Sequence, residues 1–199
     1  MNFLAHAYLA PASGAFRAGN LIADFLPGRI ERLEVPSAVA DGIRLHRHID
    51  GFIDNHPIAL RSRRRLPTAR RRAAGIIVDM AYDHFLARHW HDFHTEPLNR
   101  FAERCYAEAH AQAHWLPAYG RRTLTRMRHD DWLSSYTHSR SLAIALDRMA
   151  ERLTRPQLLR GSGVDVDSAY AGLEADFQAF MPEAIAASQR WYVAHRRQA

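Results

Sequence analysis

Lysine is missing from this chain: all 27 of its basic residues are arginine. That absence excludes the compact ammonium contact and makes every cationic side chain a planar fork suited to phosphate or carboxylate. Cysteine occurs once, at Cys105, so a disulfide framework is excluded and a reducing, cytoplasmic setting fits. Cys105 lies amid Phe101, Ala102 and Tyr106 on an amphipathic stretch, where a core filler is expected rather than a nucleophile. No apolar run is long enough to cross a bilayer, and no membrane partner is expected. The G-x-S-x-G elbow of serine hydrolases is absent. Strand-like alternation, internal repeats and low-complexity linkers are also missing.

What is present points to a helical protein. Hydrophobic residues make up 47% of the 199 positions, enough for a buried core and too many for a disordered chain. Prolines and glycines punctuate alanine-, leucine- and arginine-rich segments of good helix formers. Apolar spacing predicts helices over Ser37–Asn55 and within Thr68–Trp90. Tyr170, Leu173, Phe177 and Phe180 form another stripe, expected to end at Pro182 before a final helix carrying Trp191 and Tyr192. The expectation is an all-α fold, a single compact helical bundle spanning residues 1–199 as one domain. The opening segment, MNFLAHAYLAPASG, lacks a basic start and carries His6 in its apolar stretch, so it reads as folded protein rather than a signal peptide.

Thirteen histidines is several times an ordinary share, and histidine is the commonest metal ligand. Two clusters hold the informative ones. In GIRLHRHIDGFIDNHP, His46, Asp50 and Asp54 follow at four-residue steps; in VDMAYDHFLARHW, Asp79 and Asp83 do the same, with His84 adjacent and His89 beyond. A four-residue step turns a helix by only about 40°, so each set faces one side. Inward-facing carboxylates and imidazoles cost stability unless a cation or a bound anion offsets them. Asp24 in GNLIADF, His46, Asp50, Asp83 and His84 are therefore the candidate ligands of a divalent metal, with manganese, iron, zinc and magnesium all compatible. His6, Asn20, Asp54, Asp79 and His89 are candidates to orient those ligands or to donate a proton. Arg47, beside His46, is a candidate phosphate clamp.

Plainer readings compete. Asp54 and His56 precede Pro57 and suit a helix end; His89 suits a helix C-terminus. A lone histidine on an apolar face, such as His6, is ordinarily a satisfied core residue. The net charge of +6 points to an acidic partner, and RSRRRLPTARRR, with Arg63, Arg64 and Arg65 at its centre, is the candidate docking surface. Arg121, Arg122, Arg126 and Arg128 form a second candidate. A solvated arginine-rich segment with no partner is the alternative.

Four blocks carry a resemblance: NFLAHAYLA from Asn2, GNLIADF from Gly19, GIRLHRHIDGFIDNHP from Gly42 and AGIIVDMAYDHFLARHW from Ala74. In this order and spacing the chain resembles the acyl carrier protein phosphodiesterases. The resemblance implies hydrolysis of holo-acyl carrier protein to apo-carrier and 4′-phosphopantetheine, with a divalent metal, commonly manganese, and an acidic carrier protein as partner. It also implies distant kinship to HD-domain phosphohydrolases in rearranged order, with Asp24 and His46 in the roles of the HD aspartate and first histidine. On that mechanism the metal activates a water and binds a phosphoryl oxygen, Arg47 steadies the phosphoryl charge, and His6 or His89 protonates the leaving serine oxygen. Two rivals are an HD-like phosphohydrolase of nucleotides or other small phosphodiesters, and a non-enzymatic nucleic-acid binder acting through its arginines. The latter leaves the acid stripes unexplained and lacks a helix-turn-helix or stacking signature.

Overall fold

The computed structural model describes residues 1–196. Twelve α-helices account for most of them: α1 Phe3–Leu9, α2 Ala15–Ile22, α3 Ser37–Asn55, α4 Pro57–Arg65, α5 Ala74–Arg88, α6 Trp90–Phe93, α7 Leu98–Ala111, α8 Ala118–His129, α9 Trp132–Ser135, α10 Ser139–Ala150, α11 Gly163–Ser168 and α12 Tyr170–Arg196. No strand occurs among the described residues. The all-α expectation holds, and α3 keeps the span its periodicity predicts.

α5 is the axis of the core. Its residues from Ile77 to Ala87, Asp79 apart, are buried on every side, including Asp83 and His84. A helix apolar all round belongs inside a protein. α12 closes over it, setting Phe177 and Phe180 against Tyr82 at ring separations of 5.6 and 5.4 Å. Full burial of each phenylalanine contributes about 2 kcal/mol. Contrary to expectation, Pro182 does not end this element: the helix runs through it to Arg196. Packing of Leu173, Phe177, Phe180, Met181 and Ala184 on both sides of the proline offsets the one main-chain hydrogen bond it forfeits.

Two glycines set the approach of α2 to α3. A Cβ on Gly19 would fall 2.2 Å from the Val39 carbonyl oxygen, and one on Gly42 would fall 2.1 Å from that of Phe16. The two backbones touch, so that Asn20 on α2 reaches His46 on α3. At the other end of α3, His56 ends the helix as Pro57 begins α4, and its Nδ1 accepts the Ile58 N–H.

Candidate metal centre

α1, α2 and α3 meet at a polar group whose His6, Asn20 and His46 are buried and whose Asp24 reaches solvent. His6 comes from α1, Asn20 from α2, His46 and Asp50 from successive turns of α3, and Asp24 from the 3₁₀ turn Ala23–Phe25 after α2. His6 and His46 stack face to face, ring centroids 3.7 Å apart. His6 Nε2 lies 3.1 Å from Asp50 Oδ1. His46 Nε2 lies 3.2 Å from both Asp24 Oδ1 and Asp50 Oδ2. One ligand atom from each of His6, His46 and Asp50 can be chosen so that all three lie within 4.8 Å of one another.

Asn20 fixes both imidazoles. Its Nδ2 donates to the His6 carbonyl at 2.7 Å, which turns its Oδ1 toward His6 Nδ1 at 3.2 Å. Its main-chain carbonyl faces His46 Nδ1 at 2.8 Å. Both partners of the Nδ1 atoms can only accept, so each Nδ1 carries a proton. Both Nε2 atoms then point at carboxylate oxygens. Two imidazolium rings stacked this closely repel, and the charge settles on one. Burial and the neighbouring His46 charge lower His6 to about 4. Burial also works against a charged His46, yet hydrogen bonds to Asp24 and Asp50 raise it to about 9. Burial opposes ionisation of Asp50 too, but His46 and His6 hold it far below the usual carboxylate range. The His46 hydrogen bond likewise lowers Asp24.

A proton on His46 satisfies one contact and leaves another. Neutral His6 turns the Nε2 lone pair onto Asp50 Oδ1. The donor set of two imidazole Nε2 atoms and two carboxylates, with Nδ1–H groups anchored behind, fits a divalent cation, which would sit among these lone pairs. His6, His46, Asp50 and Asp24 are the residues that could hold it.

The other expected site residues have different surroundings. Asp83 and His84 are not brought to this group. Both oxygens of Asp83 accept main-chain N–H groups at the start of α1, from Leu4 at 2.8 Å and Ala5 at 3.0 Å. Burial nonetheless raises its carboxyl to about 7. His84 is spanned by the Tyr136 carbonyl and the Tyr170 hydroxyl, at 2.7 and 2.8 Å, and burial lowers its pKa. His89 pairs with Glu174 of α12 at 2.7 Å. Asp79 stays near the donor group: its Oδ1 lies 3.4 Å from the Met1 amino nitrogen, which is equally far from Asp50 Oδ1. Burial raises the Asp79 carboxyl.

Among the arginines, Arg63 reaches back to Asp54 at 2.6 Å, and its charge acts on Asp79. Arg47 donates to the Gly28 carbonyl and braces the loop beyond Asp24. Arg61 and Arg65 both bind buried Asp176, and Arg70 binds Asp165, whereas Arg64, Arg71 and Arg72 stand exposed. Part of the run is thus structural, and part faces solvent. Cys105 is fully buried, as a core filler should be. The sequence reading gave no role to the Met1 amino group or to Gly19 and Gly42, although each glycine opens one of the recognisable blocks.

The fold and this inward-facing His–Asp group define an all-α protein with donors that could hold a metal ion. A family model described as acyl carrier protein phosphodiesterase matches residues 1–184, and the chain belongs to that family. Proteins named acyl carrier protein phosphodiesterase from Escherichia coli O157:H7 (strain EC4115 / EHEC) and from Escherichia coli (strain K12 / DH10B) are each 37% identical to it over 194 residues. The matched regions cover 96% of this chain and 98% of each relative. No solved structure matches the chain.

Proposed function

We propose that this protein hydrolyses the phosphodiester joining 4′-phosphopantetheine to a serine of holo-acyl carrier protein, releasing apo-carrier and 4′-phosphopantetheine. Family membership brings the substrate. The observation that carries the chemistry is the convergence of His6 Nε2, His46 Nε2 and the Asp50 carboxylate, with both Nδ1 atoms held by Asn20. His6, His46, Asp50 and Asp24 would hold a divalent cation, manganese first among magnesium, iron and zinc, which would supply polarisation of a phosphoryl oxygen and a more acidic water. Two histidines and two aspartates carried on helices are also the donor complement of the HD-domain phosphohydrolases, a kinship this reading retains.

The chain's own residues supply the rest. Asn20 keeps both Nε2 atoms aimed at the centre. Asp24, with a side chain 64% exposed, forms the solvent side of the donor set. The serine oxygen is a poor leaving group and needs a proton as its bond to phosphorus breaks. Asp79, whose carboxyl is raised by burial and whose Oδ1 lies 3.4 Å from the Met1 amino nitrogen that also contacts Asp50, is assigned to deliver it. Arg63, tethered to Asp54, and Arg47, at the loop after Asp24, are assigned to phosphoryl charge. Carrier proteins are acidic, and the exposed Arg64, Arg71 and Arg72 give a surface that steers them. A cytoplasmic location fits the single buried thiol; no helix among the described residues is long and apolar enough to cross a membrane.

Incubation of the purified protein with holo-carrier and each metal in turn tests the proposal, with intact-protein mass spectrometry reporting loss of phosphopantetheine. Conversion with manganese, abolished by Asp50→Asn, is expected. Turnover of cyclic or mononucleotides with no carrier conversion would replace this reading by the nucleotide one.

A further inference from the structure

A cavity of about 630 Å³ lies among the start of α1, α8 and α10. None of the four donors lines it, but three of its residues are chain neighbours of groups at or beside them. Phe25 follows Asp24, Met80 follows Asp79, and Asn2 follows the Met1 nitrogen that contacts Asp50 and Asp79. The wall also carries hydroxyls, such as Ser135 and Ser141, the carboxylates Asp130 and Glu151, and apolar surface from Ile144, Ala145 and Met149. Arg126, Arg148 and Arg152 also line it, on exposed positions of α8 and beyond. The volume falls within the range of about 300–1,000 Å³ typical of small-ligand sites.

We propose that this cavity receives the pantetheine arm of the substrate, and that Ala145 limits how long an acyl chain on its sulfur can be accommodated. The inference rests on the carrier-protein reading above. A phosphodiester has two ester arms. One leads to the carrier, whose acidic surface cannot enter a cavity of this size. The other is a slender chain, neutral beyond its phosphate, in which two amides alternate with apolar carbons. Such a chain suits a wall that offers both hydroxyls and aliphatic side chains. The half-exposed Ile144 is then not a stray apolar residue: it continues the apolar track along α10 past the end of the arm, where an S-acyl chain would lie. That Asn2, Phe25 and Met80 line the cavity, each next in the chain to Met1, Asp24 or Asp79, favours this occupant over an unrelated ligand, because the arm must begin at the phosphorus.

The test is the chain-length profile of Ala145→Trp. Wild type and variant are assayed on holo-carrier and on butanoyl-, octanoyl- and hexadecanoyl-carrier, with bis(p-nitrophenyl) phosphate as a substrate lacking the arm. Filling the cavity should lower kcat/KM for the hexadecanoyl form about tenfold or more, the octanoyl form less, and leave the small diester within about twofold. Met149→Trp provides a second variant should the first fail to fold. Unchanged profiles in a folded variant, with holo-carrier still hydrolysed, would overturn the cavity assignment while leaving the proposed function intact. Absence of carrier hydrolysis by wild type would instead remove the function on which it rests.

Discussion

His6 and His46 lie ring against ring, 3.7 Å between centroids, although they are 40 positions apart and on different helices. Neither ring can turn away, because Asn20 holds an Nδ1 of each through a different carbonyl oxygen. Orientation of the two potential ligands is thereby assigned to one residue. Asn20→Ala should reduce manganese affinity by about 10- to 100-fold, the usual effect of losing a group behind the ligands. Isothermal titration against the intact protein measures it, and an unchanged Kd would refute the anchoring role.

The shared proton gives a pH signature. His46, raised to about 9 from its ordinary 6.5, holds an extra proton in the native metal-free protein, so its contribution to stability is full below 6.5 and is lost as pH rises through about 9. His6, lowered to about 4, works in the opposite direction, and its contribution falls as pH drops from 6.5 toward 4. Metal binding must displace the His46 proton. Near pH 7, titrations in buffers of differing ionisation enthalpy should show about one proton released per cation, and affinity should climb with pH toward about 9. A count near zero would mean that His46 is not a ligand.

Asp83 separates structure from catalysis. With both oxygens accepting N–H groups at the start of α1, Asp83→Ala should cost roughly 2–5 kcal/mol by stranding two buried donors. Chemical denaturation measures the loss. Metal affinity of the remaining folded fraction should stay close to wild type; a selective collapse of affinity would return Asp83 to the ligand list.

The arginine run divides in the same way. Arg64→Glu should raise KM for carrier protein a few-fold at low salt, and the effect should fade at high salt, because the side chain stands exposed. Arg65→Glu should instead lower the thermal midpoint, since Asp176 is buried and would lose one of its two guanidinium partners. Equal KM changes with equal midpoints for both variants would show that the run acts as one docking surface.

Gly42→Ala tests the crossing that joins the halves of the site. The added carbon meets a main-chain oxygen at 2.1 Å, so the helices must separate, at a cost of about 1–3 kcal/mol or more. Differential scanning calorimetry should show this destabilisation. An unshifted transition would mean the crossing is looser than described.

Much of this architecture was legible in the chain. Four-residue spacing placed His46 and Asp50 on one face of a correctly bounded α3, and inward polarity marked them as donors. The same spacing says less about α5. Asp83 and His84 face inward as expected, and on a helix buried all round, inward leads to an amide pair and two tyrosine oxygens. Spacing reports a face, not what the neighbouring helix sets opposite it. His6 was undervalued for a related reason: a lone histidine among apolar residues carries no local sign that two carboxylates and a second imidazole converge on it. Pro182 looked like a stop because local propensity says so; the contacts of Phe177 and Met181 that carry α12 past it come from residues distant in sequence.

The seven-residue α1 is too short to persist as an isolated helix in water, and its first free amides are satisfied only by Asp83 on α5. The position of His6 therefore depends on α5, a helix that follows it by some seventy residues in the chain. Without it only the weaker remnant on α2, its following turn and α3 is available to an ion. A cation held by His6 would in this way require α5 to be in place, so a chain lacking that helix would offer stray metal little purchase.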